Sequence, residues 1–204
     1  MIIVVGSQKA GRPRRPSSLT SPSSSRSKAK TSSPWAATRS VRWHADRIEA
    51  GHHAAIAAVE KLGNLYSTLK DLDGRYDVVL VDVAGNDSKE MCTAMTAAHR
   101  LVVTVRPSQL GLDTLPHMSE LIEQAQDLNP DLIVRGLVTQ APNGSERTDA
   151  GEYLEEYPLV APLETIVYER KAYRVVIGEG LGVVEWNKPK ARAEVQELAG
   201  EVIA

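Results

Sequence analysis

This sequence predicts an α/β domain built on a doubly wound, mostly parallel sheet with helices on both faces. Three observations carry that expectation. Short aliphatic runs (MIIVV, DVVLV, LVVTV and LIVRGLV) recur along the chain. Segments with apolar residues at helical spacing separate several of them, and the runs show little polar alternation, the pattern of strands covered on both faces. At 204 residues the chain is long enough to enclose one such domain, so residues 1–204 are expected to form a single unit.

The elements follow in order. Met1 to Val5 reads as a buried strand ending at Gly6. Residues 42–51 have helical character, residues 52–63 are Ala-rich and suit helix or strand, and residues 65–72 predict a helix. Tyr76 to Asp82 (YDVVLVD) is a strand of β-branched and aliphatic residues, followed by a helix over 87–99 and the strand LVVTV over 101–105. Leu115, Met118, Leu121, Ile122 and Ala125 then repeat at helical spacing within 112–128. The strand LIVRGLVT over 132–139 is stopped by Pro142-Asn143-Gly144. A short strand near 159–161, a helix over about 168–177 and a closing helix over 189–203 complete the chain.

One stretch departs from this plan. Residues 12–40 hold ten Ser, four Pro and seven basic residues, with Leu19 and Trp35 as the only large apolar side chains. Burying those two returns about 1.5–3 kcal/mol each. Ordering the backbone costs roughly 1–2 kcal/mol per residue, so the stretch is expected to be disordered. It also carries the charge asymmetry. Residues 1–40 have eight Lys/Arg and no acid, whereas the remainder has sixteen Lys/Arg against 26 acids, a net of −10. Such an arm points to nucleic acid or a membrane surface, unless the arm is an artefact. The single cysteine, Cys92, excludes a disulfide framework or a thiolate cluster and suggests a cytoplasmic protein. His44, His52, His53, His99 and His117 share no ligand spacing with acids, and no apolar run is long enough to span a membrane.

In doubly wound sheets ligands bind beyond the carboxyl ends of the strands. Asp82 ends an apolar strand, where an acid can hold Mg²⁺ or its water. Many strands end in Asp, and alone the feature says little. Gly6-Ser7-Gln8-Lys9-Ala10-Gly11 after the first strand is a glycine-containing turn of the kind that cradles phosphates at a helix start. A complete phosphate loop continues with Lys and Ser/Thr. Here Arg12-Pro13-Arg14-Arg15-Pro16 follows, and two prolines prevent the helix start and remove two amide donors.

Four segments together resemble the ParA/MinD family of P-loop NTPases. GSQKAG resembles the opening of its deviant Walker A loop, and YDVVLVDVAG its Walker B strand. LVVTVRPSQLGLDTL resembles the next strand and loop, and LETIVYERKAYRVVIGEGLGVVEW its late I-x-x-R-x-x-Y stretch. The likeness spans residues 1–11 and about 43–204. It implies a small partition ATPase that binds ATP and Mg²⁺, forms a homodimer when ATP-bound, contacts DNA without sequence preference, and is stimulated by a centromere-binding partition protein. It further implies a cytoplasmic, nucleoid-associated protein with no membrane partner.

By the same resemblance, Gly6, Lys9, Gly11 and Asp82 bind nucleotide, Lys9 reaches the transferring phosphates across a dimer, and Asp82 supports the metal. Arg170, Lys171 and Arg174 face DNA, and Arg106 and Asp113 flank the loop that closes the nucleotide site. The family's Walker A Lys-Thr and its Asp-Pro-Gln-like stretch are missing, and both belong within residues 12–40. Reading those codons one base out of phase permits Lys-Thr-Thr, an aliphatic helix and Asp-Pro-Gln in the family's order, although Trp35-Ala36 forces Gly where an acid is expected. We therefore read residues 12–40 as a frame-shift product. The competing readings are a genuine Ser/Arg arm or a transit peptide. Two other functions compete: a nucleotide-free remnant acting as a binding module, and a MinD-type regulator. The latter needs a basic amphipathic C-terminal helix, against which Glu194, Glu197 and Glu201 weigh.

Overall fold

All five strand pairings of the sheet are parallel. The computed structural model describes residues 1–6, 49, 51, 57, 59–83, 88–142 and 146–204. In chain order these form β1 (Ile2–Gly6), α1 (Tyr66–Asp73), β2 (Val79–Val83), α2 (Lys89–Met95), β3 (Arg100–Val105), α3 (Gln109–Leu112) and α4 (Leu115–Leu128). Then come β4 (Ile133–Ala141), α5 (Glu146–Glu155), β5 (Ala161–Pro162), β6 (Val167–Tyr168), α6 (Lys171–Gly178), a 3-10 turn (Val183–Glu185) and α7 (Pro189–Ile203). The strand order is β2-β1-β3-β4-β5, with β6 also paired to β4.

Alternation along the strands sorts their side chains between two faces. Ile2, Val4, Val79, Val83, Leu101, Val103 and Val105 meet α1, α2, α4 and α5 in the main core. Ile3, Val102 and Leu137 point the other way and meet Val202 and Leu198 of α7. The predicted α/β sheet with helices on both faces is what forms. Burying each fully enclosed aliphatic side chain, such as Ile2 or Leu101, contributes about 1.5–3 kcal/mol.

The second face is not covered evenly. β2 is an edge strand among the described residues, and Leu80, which lies beside Ile3, is 69% exposed. Val78 just before the strand is also exposed. A run as aliphatic as β2, with Asp82 its one polar residue, is expected at a sheet centre, so its composition and its edge position among the described residues disagree.

Most boundaries move only slightly from expectation. The helix expected over 87–99 is shorter at Lys89–Met95, begun by Ser88, whose Oγ accepts from the Met91 amide at 3.1 Å. The helix expected from about residue 168 starts at Lys171, because Val167–Tyr168 pairs with β4 as a strand. Helix α5 was not expected at all. The expectations for residues 12–40 and for the helix over 42–51 fall, apart from Glu49 and Gly51, outside the described residues.

Candidate functional site

β1, β2 and β3 end side by side, so one rim of the sheet collects the residues that follow them. In the β1–β2 register Val5 lies beside Asp82 and Gly6 beside Val83. Two sequence candidates 76 positions apart, Gly6 and Asp82, thus lie one register step apart on adjacent strands, whose axes are about 5 Å apart by ordinary sheet geometry. Asp82 is exposed, and by alternation it shares the face of Leu80, opposite Val79 and Val83. Gly6 lies against the end of the flexible Met91 side chain, which a larger residue would have to displace. A Cβ there would lie 2.5 Å from Met91 Cε and 3.0 Å from its Sδ. Thr104 Oγ1 donates to the Gly6 carbonyl at 3.4 Å, which ties the β1 terminus to β3. Lys9 and Gly11 lie outside the described residues.

The loop after β3 closes on itself. A Cβ on Gly111 would lie 2.4 Å from the Arg106 carbonyl oxygen, so only glycine fits. Ser108 Oγ accepts from the Gly111 amide at 3.2 Å, and Thr114 Oγ1 donates to the Gly111 carbonyl at 2.6 Å. Asp113 accepts from Gln109 Nε2 at 2.7 Å and is thereby part of the loop's own bonding, while Arg106 stays exposed.

ATP with Mg²⁺ is the group the sequence implies, and the described residues fit it only in part. They offer the glycine at the β1 terminus and the Asp82 carboxylate, but no cluster of three or more metal-ligating side chains occurs among them. The sequence after Gly11 lacks the Lys-Ser/Thr that would grip the phosphates.

The late basic residues separate into two kinds. Arg170 is the N-cap residue of α6 and turns inward. Its Nε donates to Glu194 Oε1 at 2.8 Å, and its Nη2 bonds the same oxygen. Tyr173 donates its hydroxyl to Glu194 Oε2 at 2.8 Å, and burial, with that bond, pushes the phenol well above its ordinary range. Arg170 is likewise held further toward its charged form by Glu194. Lys171 and Arg174 remain exposed, Arg174 pairing with Glu169 at 3.1 Å. The three residues grouped as one DNA-facing set therefore do not share one environment. Arg170 fastens α6 to α7.

No family model and no curated protein matches the chain. Solved structures do. It is similar to apo McdA from Cyanothece, with a TM-score of 0.57 and 12% identity over 98% of this chain and 86% of that one. It is similar to a protein from Borrelia burgdorferi B31, described as a plasmid partition protein and bound to AMPPNP, with a TM-score of 0.56 and 11% identity over 97% and 84%. A variant of Cyanothece McdA in complex with ATP gives a TM-score of 0.51 and 13% identity over 97% and 85%. This chain has the fold of the plasmid partition proteins.

Within that partition-protein fold, Gly6 and Asp82 lie near strand ends as the sequence predicted, but the acids that hold the C-terminal helix were not predicted. Glu194 is buried, and Glu201, seven residues on, accepts from the Glu164 and Thr165 amides at 2.8 and 2.9 Å. Their spacing places both on one face of α7, and that pattern was the available signal.

Proposed function

We propose that this chain is a ParA-like ATPase of plasmid or chromosome partitioning whose nucleotide handling is impaired. The observation that carries the reading is the placement of Gly6 and Asp82 one register step apart near the ends of adjacent parallel strands, where a phosphate loop and a metal-supporting acid need to meet. The intact activity would comprise ATP-dependent homodimerisation, non-specific DNA contact and hydrolysis stimulated by a centromere-binding partner. Lys9 would reach the phosphates and Asp82 would support Mg²⁺. Lys171 and Arg174 would contact DNA, with Arg170 holding their helix in place.

Among the described residues β2 is an edge strand with exposed aliphatic side chains, which supports the frame-shift reading of residues 12–40. Leu80 and Val78 are aliphatic side chains of a kind normally covered, and the out-of-phase codons would supply an aliphatic helix and a further strand. A MinD-type membrane role is disfavoured, because α7 turns Leu198 and Val202 toward the sheet. No described helix is long and apolar enough to cross a membrane.

The test sets this chain beside a version carrying the shifted reading of residues 12–40, using a fluorescent ATP analogue with Mg²⁺. The repaired chain is expected to bind and hydrolyse, and to lose hydrolysis on Asp82→Ala, while the present chain does neither. If neither chain binds nucleotide, the ATPase reading fails and the nucleotide-free binding module replaces it.

A further inference from the structure

A cavity lies far along the chain from the strand rim, where the starts of α6 and α7 converge. Its volume is about 650 Å³. Val175, Trp186 and Pro189 supply apolar lining, and Lys171, Lys188 and Lys190 stand around it. The three lysines are exposed, and none has an ion-pair partner among the described residues. The other charges lining the cavity are committed elsewhere, Arg170 to Glu194 and Glu169 to Arg174. The free charge around it is therefore positive, on a body whose residues 41–204 are acidic overall.

The helix starts add to this bias. The N-cap positions of α6 and α7 are Arg170 and Lys188, neither makes a side-chain cap, and neither helix has an acid in its first turn. Positive side chains at the positive ends of helix dipoles repel. An anion arriving from outside relieves that repulsion.

We infer that this cavity binds an acidic peptide segment of a partner protein, with one large apolar side chain seated against Trp186 and Val175 and flanking carboxylates on Lys188 and Lys190. Charge complementarity selects the carboxylates, and the apolar lining selects the anchor. Duplex DNA is the poorer fit. Its phosphates would meet the lysines but leave the apolar lining unfilled, whereas a peptide satisfies both. The inference stands without the ATPase reading, since it uses no residue of the strand rim.

The experiment is selection of a displayed library of random short peptides on the full chain, followed by fluorescence anisotropy with the best synthetic peptide. The expected consensus is one Leu, Ile, Phe or Trp flanked by Asp or Glu. Changing that anchor to Ser, or Trp186→Ala, should weaken binding about fivefold, and the double variant K188E/K190E at least about tenfold. Both lysines are exposed, and circular dichroism would establish that the double variant keeps its fold. Absence of enrichment, a basic consensus, or binding unchanged in K188E/K190E overturns the proposal. Displacement of the peptide by an unrelated DNA duplex, with no dependence on the anchor, overturns it in favour of a nucleic-acid surface.

Discussion

One face of the sheet is covered by four helices and the other, among the described residues, chiefly by α7, and the shortfall is concentrated on β2. Leu101 on β3 and Leu80 on β2 are both leucines in parallel strands of one sheet. The first is fully buried, and the second is 69% exposed. Since side chain and strand type are the same, only the neighbours differ. Hydrophobic composition gives a strand the capacity to be central, but what stands beside it decides how much of that capacity becomes stability.

The sharpest way to break the comparison is to truncate both leucines. Leu101→Ala should cost about 2–5 kcal/mol, because it opens a cavity in the main core. Leu80→Ala should stay within about 0.5 kcal/mol, as an exposed site with little packing to lose. Urea denaturation midpoints at unchanged slope measure both. Equal losses would mean that Leu80 is covered in solution.

A second, smaller effect concerns how α7 is held to its face. Glu194→Ala removes the acceptor of Arg170 and Tyr173 together and should cost about 1–3 kcal/mol. Arg170→Met in the same background should restore part of the loss, since no uncompensated cation would remain. A double-mutant cycle in urea reads the coupling.

A third effect depends on pH. Glu90 Oε1 accepts from the Gly63 amide at 2.7 Å, and that bond, with its own backbone amide, holds the carboxyl below the usual range. A carboxyl lowered by folding stabilises fully above its unfolded value, and the contribution is lost as pH falls through the folded value. Stability should therefore decline on acidification below the ordinary glutamate range, and Glu90→Gln should flatten that decline. The smallest expected change is Leu80→Lys, nearly neutral in urea but slowing aggregation, as a charge on an exposed strand edge does. Light scattering on a timed incubation would report it.

Much of this architecture was legible in the sequence because aliphatic runs and amphipathic spacing reflect burial directly. Leu115, Met118, Leu121, Ile122 and Ala125 were expected on one helix face and are all buried. The strand-end location of Asp82 was legible for the same reason. Helix α5 was not, since Tyr153 and Leu154 are its only large apolar residues and two adjacent positions define no period. Nor was the Arg170–Glu194 tie, because 24 positions of chain separate residues that only the docking of two helices brings together. The edge position of β2 contradicted its composition, and no local pattern reveals which neighbour a strand lacks.

The opposite margin of the sheet is finished differently. Beyond β4 run β5 and β6, two residues each, and Pro162 lacks the amide a further strand would need. Among the described residues, one border thus leaves β2 without an outer partner strand, and the other refuses one. Were two copies to pair at β2, they would present only blunted borders outward, and growth by edge pairing would have a ceiling. A concentration series should plateau at twice the chain mass, and this asymmetry would separate self-limiting association from fibre formation.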